Sequence, residues 1–128
     1  MHAGQKKLRT ITARRDFLAA SSGSKWITPH FIMLALKRAE DHPVHDISRV
    51  GYTVTKKMGN AVTRNRIKRR LRHAIAQISP DLVRAGYDYV LISREKALTC
   101  EFSALVTDME FAFSRIHANK KPSKSKAT

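Results

Sequence analysis

A chain of 128 residues with 42% hydrophobic side chains fits one domain with a modest core, and is too apolar to be disordered throughout. Twenty-five Lys and Arg against ten Asp and Glu give a net charge of +15, which draws a small protein to phosphate-rich partners. No run approaches a membrane span and the start, MHAGQKKLRT, lacks the apolar stretch of a signal peptide, so a cytoplasmic location is expected.

Residues 1–11 are polar and basic and are expected to be flexible. Thr12 is placed to cap a short helix running through residue 21, with Arg14, Arg15 and Asp16 in its first turns and Phe17 and Leu18 as apolar content. Ser-Ser-Gly-Ser at 21–24 makes a turn, and residues 25–28 a short strand broken by Pro29. The nearly continuous apolar run 30–37 reads as a buried strand, followed by a charged loop over 38–46 that carries Pro43. Across 47–55, Val50, Tyr52 and Val54 alternate with Arg49, Gly51, Thr53 and Thr55, the pattern of a strand with one wet face. Met58, Gly59 and Asn60 turn the chain, with Asn60 as N-cap of a helix from 61 to about 78. Its apolar seam is Ile67, Leu71, Ala74, Ile75 and Ile78, and Pro80 ends the run.

Gly86 precedes a strand over 87–93, and Thr99 or Cys100 opens a last helix with Phe102, Leu105, Val106, Met109, Phe113 and Ile116 at helical spacing. The Lys-rich tail, 118–128, reads as disordered. The order is helix, two or three strands, basic helix, strand, helix. It predicts a single domain over 12–117 of α/β (α+β) class: a two-layer sandwich with a small central sheet and flanking helices. The strands on either side of the basic helix form a βαβ unit, which implies parallel pairing.

Residues 56–72 read KKMGNAVTRNRIKRRLR, eight Lys or Arg and no acid, inside an acid-free stretch of 34 residues over 47–80. A solvated helix normally mixes both signs, because opposite charges at i,i+4 support it. Like charges repel along this one, and a bound polyanion would neutralise them. On a helical wheel Arg64, Lys68 and Arg72 stack at i, i+4 and i+8, flanked by Arg66, Arg69, Arg70 and His73. An Arg fork bonds two phosphate oxygens, and Asn65 suits a base edge or a 2′-hydroxyl. A solvated charged face is the bland alternative.

Other chemistry is sparse. Cys100 is the only cysteine, which excludes an intramolecular disulfide and a thiolate metal cage, and it reads as a small apolar residue. His42 and His45 form an H-x-x-H pair with no third or fourth ligand nearby, and the carboxylates are dispersed without a D-x-D or H-E-x-x-H arrangement. No catalytic or metal-binding residue is assigned to this chain.

The segment GYTVTKKMGNAVTRNRIKRRLRHAI resembles the signature of the bacterial ribonuclease P protein subunit: a strand, a K-K-x-G-x-A-V turn, then R-N-R at Arg64-Asn65-Arg66 followed by K-R-x-x-R. RRDFLAA at 14–20 is similar to the family's first helix, KWITPHFIMLAL to its next strands and YDYVLISR to the strand after the basic helix. The resemblance covers roughly residues 8–117. It implies an α/β sandwich whose crossover through the basic helix is left-handed, against the general rule for such units. It further implies a ribonucleoprotein that removes 5′ leaders from precursor tRNA. Mg²⁺ would be held mainly by the RNA subunit, the partners would be the catalytic RNA and precursor tRNA, and no protein partner would be required.

Two surfaces follow from the resemblance. Arg64, Asn65, Arg66, Lys68, Arg69 and Arg72 would contact the RNA subunit. The leader would lie between the first helix and the open sheet face, near Phe17, Phe31, Lys56 and Lys57, where aromatic faces stack bases at ~1–3 kcal/mol each. Ordinary core packing is the alternative for both Phe residues. The family often has a second aromatic four residues after the first-helix Phe; this chain has Ser21, and Trp26 is either a substitute or a half-buried strand residue. A ribosomal protein would share the charge but not this motif context, and a helix-turn-helix DNA binder would need two helices joined by a short turn. A stand-alone nuclease would need its own acid–base or metal constellation.

Overall fold

Alternating side chains divide the strands of this protein between two faces of a single sheet. The computed structural model describes residues 8–39, 42 and 47–118. The strands are β1 (Leu8–Thr10), β2 (Ser24–Ile27), β3 (Phe31–Lys37), β4 (Ser48–Thr53) and β5 (Tyr87–Ser93), in sheet order β1-β4-β5-β3-β2. β4 pairs in parallel with both β1 and β5, while β3 is antiparallel to β5 and β2. The helices are α1 (Arg14–Ala20), α2 (Ala61–Gln77), α3 (Lys96–Thr99) and α4 (Phe102–Ala118). The β4-α2-β5 passage is the expected βαβ unit.

Phe31, Met33 and Ala35 of β3, Val50 of β4, and Tyr89 and Leu91 of β5 point to one face. There they meet Ile67, Leu71, Ala74 and Ile75 of α2 and Leu105, Met109, Ala112, Phe113 and Ile116 of α4. This is the main core, and it contains the whole seam expected for the basic helix. A fully buried Leu, Ile or Phe contributes about 1.5–3 kcal/mol, so this face dominates folding. The other face buries a smaller cluster, Ile11, Ala20, Leu34 and Val90, with Phe17, Ile32 and Ile92 packed against it. Thus α2 and α4 make the expected second layer, and α1 lies across the opposite face of the sheet.

The start of α2 is built as its sequence suggests. A 3₁₀ turn, Lys56–Met58, leads into Gly59, whose φ of 135° suits glycine and few other residues. The Asn60 side chain then accepts a hydrogen bond from the Thr63 amide at 2.9 Å, capping the helix.

Some expectations change. Leu8–Thr10, in the N-terminal segment expected to be flexible, is a strand paired with Ser48–Val50; its partner lies forty residues on, beyond the reach of local pattern. The N-cap of α1 is Ala13 rather than Thr12, and it makes no side-chain cap bond. The single turn α3 had no periodic signal at four residues. The wet face of β4 is partly covered, since α1 packs over Gly51, which is buried. Residues 1–7, His45 with most of the 38–46 loop, and the tail after 118 lie outside the described residues.

Candidate nucleic-acid interface

Burial sorts the cations of α2. Ile67, Leu71, Ala74 and Ile75 turn inward, which leaves Asn65, Arg66, Arg69, Arg72 and His73 exposed on the outer side. Arg64 and Lys68 are half-buried on the flank, and the Arg64 Nε donates to the Gly59 carbonyl at 3.2 Å. Arg72 is held over the Tyr52 ring of β4, 5.5 Å from its centroid, a cation–π contact that keeps the guanidinium at the surface. Burial pushes the Tyr52 hydroxyl up to about 12, with Arg72 pulling the other way, so the ring under the cation stays neutral.

Arg70 differs from its neighbours. Its Nε donates to the Ala97 carbonyl at 2.9 Å and its Nη2 to the Cys100 carbonyl, so its charge satisfies the end of α3. The outward ridge is therefore Asn65, Arg66, Arg69, Arg72 and His73, with Arg64 and Lys68 beside it. Val62, 67% exposed, begins the same ridge and was missed by a reading that followed charge alone.

The residues assigned to the second surface are not all brought together. Phe17 lies on α1 with its ring over Gly51, where a Cβ would come within 2.5 Å of the ring. Lys56 and Lys57 are exposed in the 3₁₀ turn that leaves the end of β4. At about 3.3 Å per residue, that turn stands roughly 16 Å along the chain from Gly51. Phe31 is not part of this group. It is wholly buried in the main core, and strand alternation turns it toward α2 and α4, so it has no face to offer a base. Trp26 also points to the helix side, edge-on to Phe111 of α4 with ring centroids 6.0 Å apart, and does not substitute for an aromatic at Ser21.

In place of Phe31, the register supplies an apolar row. Thr53 pairs with Ile92, Ile92 with Ile32, and Ile32 with Ile27, across four adjacent strands. Ile32 and Ile92 are half-buried against the α1 cluster, and Ile27 is 56% exposed. This row lies beside the Phe17 ring on the same face. The signal was present in the strand over 87–93, whose alternation separates Tyr89 and Leu91 from Val90 and Ile92. Seeing the row also required the partner strands.

Among the described residues, no group of three or more His, Cys, Asp or Glu is placed to hold a metal ion. What the arrangement offers is binding: a cationic ridge on one face, an aromatic and apolar track on the other, and two exposed lysines in the turn between β4 and α2.

The family model for ribonuclease P matches residues 5–117. The ribonuclease P protein component of Paramagnetospirillum magneticum is 41% identical over 116 residues, 90% of this chain and 87% of that protein. That of Bartonella quintana is 42% identical over 101 residues, 77% and 76% of the two chains. Among solved structures, the RNase P protein from Thermotoga maritima superposes with a TM-score of 0.70 at 27% identity, covering 84% of this chain and 97% of that one. With its basic helix, its parallel β4–β5 pair and a family match across nearly the whole chain, this protein belongs to the ribonuclease P protein component family.

Proposed function

We infer that the two faces of the sheet divide the RNA contacts of a ribonuclease P protein subunit. The protein is the non-catalytic component of an RNA-based enzyme, and it binds the catalytic RNA and the 5′ leader of precursor tRNA. The ridge of α2 takes the RNA subunit, through Arg66, Arg69 and Arg72 with Asn65, assisted by Arg64 and Lys68. The α1 face takes the leader, with Phe17 stacking a base, the isoleucine row supporting it, and Lys56 and Lys57 neutralising phosphates. Mg²⁺ belongs mainly to the RNA subunit in this reading, and no step is assigned to a metal on this chain. The cytoplasm is the compartment we assign.

The observation that carries this reading is the outer side of α2, where cations stand exposed within 34 residues that contain no acid. These residues do not cleave. They neutralise phosphates of the RNA subunit and so seat it on the ridge, while the leader is left to the α1 face.

Reconstitution with a ribonuclease P RNA tests it. The protein alone is expected to yield no mature 5′ ends, and the assembled enzyme to process precursor tRNA. The pair R66Q/R69Q should flatten the slope of log affinity for the RNA subunit against log salt by about 1–2, since each lost phosphate contact removes roughly 0.7–0.9. Both side chains are exposed, so stability should stay within about 0.5 kcal/mol. A wild-type slope in that variant would make the ridge only a solvated face.

A further inference from the structure

Asp16 is the only acid among residues 1–39, and it stands on α1 immediately before Phe17. A carboxylate beside a polyanion's path costs affinity by like-charge repulsion. Charge alone therefore argues against an acid here, and its contacts supply the reason for it.

The Asp16 Oδ2 lies 3.5 Å from Nη1 of Arg49 on β4. Arg49 forks onto Asp88 of β5, its Nε donating to Oδ1 at 2.8 Å and its Nη2 to Oδ2 at 2.7 Å. Asp88 is 3% exposed and also accepts from Nη1 of Arg38, which donates in turn to the Tyr87 carbonyl at 3.0 Å. The hydrogen bond to Asp88 raises the Arg49 pKa although burial opposes it, so Arg49 stays charged between its two partners. A chain of ion pairs thus rises from the buried floor of the sheet through β4 to the helix above.

α1 needs such an anchor. It has seven residues, no side-chain cap at its start, and Ala20 as its one buried residue. So short a helix has little stability of its own. It stands on β4 at two neighbouring points of one face: Asp16 on Arg49, and the Phe17 ring on Gly51 two residues further along.

We propose that Asp16 is a positioning residue for the leader: through Arg49 and Asp88 it fixes α1, and with it the Phe17 ring, over Gly51. This rests on the reading of the α1 face as the leader track.

The holoenzyme, assembled with a ribonuclease P RNA, tests the idea with D16A, D16E, F17A and D16A/F17A on precursor and leaderless tRNA. The sign of the effect is diagnostic. An acid that merely neighbours the leader would, once removed, let it bind more tightly. Lost positioning weakens it. D16A should weaken precursor binding about five- to tenfold and leave mature tRNA binding unchanged, while D16E, which still reaches Arg49, retains most of the affinity. In the F17A background D16A should add nothing, because the ring it positions is gone. Tighter or unchanged precursor binding by D16A overturns the proposal, as does a D16A loss that persists in full without Phe17. Affinity for the RNA subunit, which depends on α2, is the folding control: an equal loss there means general destabilisation and also overturns it. An F17A enzyme that binds precursor normally would sink the leader-track reading itself.

Discussion

Gly51 matters through what it lacks. A methyl group there would lie 2.5 Å from Cε1 and 2.7 Å from Cζ of Phe17, and 3.2 Å from the Ile11 Cβ. Backbone and sheet pairing hold β4 in place, so the ring has to move. G51A should therefore displace Phe17 from the track and weaken precursor binding by the assembled enzyme, with mature tRNA unaffected. Losing one stacked base is worth ~1–3 kcal/mol, or roughly 5- to 150-fold. Overpacking costs a comparable ~1–3 kcal/mol of stability, so a thermal melt on the same variant shows that the folded fraction is intact. Wild-type precursor affinity in G51A would mean that the leader does not touch this ring. Single residues were the hardest scale to read from sequence. Phe17, Phe31 and Trp26 look alike as aromatic candidates, and only strand register turns Phe31 and Trp26 toward the helices. An empty position such as Gly51 gives no signal at all until its neighbour across the sheet is known.

Elements whose signals are local were legible. α2 announced its Asn60 cap and its inward seam, and the strand over 87–93 was bounded as found, because each depends on residues a few positions apart. β1 depends on β4, forty residues away, and α3 on a single turn, and neither carries a readable period. The end of α4 depends on distant partners too. The Arg84 amide donates to the Tyr89 hydroxyl at 3.0 Å, which leaves that hydroxyl's proton for Nε2 of His117. Tyr87 stands edge-on to the same imidazole, centroids 4.7 Å apart. Burial, with Arg84 adding repulsion, lowers the His117 pKa from 6.5 to about 4. Between those values the unfolded chain binds a proton that the folded protein refuses, so stability rises with pH there. The contribution is fully present above about 6.5 and is lost as pH falls toward 4. The melting temperature of the wild type should accordingly drop on acidification across this window, before most carboxylates titrate. H117Q should show a shallower drop. Parallel melting curves for the two proteins would remove His117 as the cause.

Over the whole molecule, the sheet keeps the two surfaces proposed for RNA apart. α2 and α4 lie on one face and α1 on the other, with β4 and β5 between them. The acid-free stretch was visible in the sequence as one block, yet it spans two elements: Lys56 and Lys57 stand in the turn after β4, and the arginines follow on α2. Sites more than ~7–10 Å apart with no shared partner add in free energy within about 0.5 kcal/mol. F17A should therefore leave affinity for the RNA subunit unchanged, and R66Q/R69Q should leave the preference for precursor over mature tRNA unchanged once the enzyme is assembled. The triple variant should lose the sum of the two effects, measured as log kcat/KM for precursor cleavage over a range of salt. Its salt slope for RNA-subunit binding should match that of R66Q/R69Q, because a stacking contact releases no counterions. A triple variant that loses much less than the sum would show that both faces grip the same stretch of RNA. One that loses much more would show that the RNA subunit, docked on α2, helps hold α1 in place across the sheet.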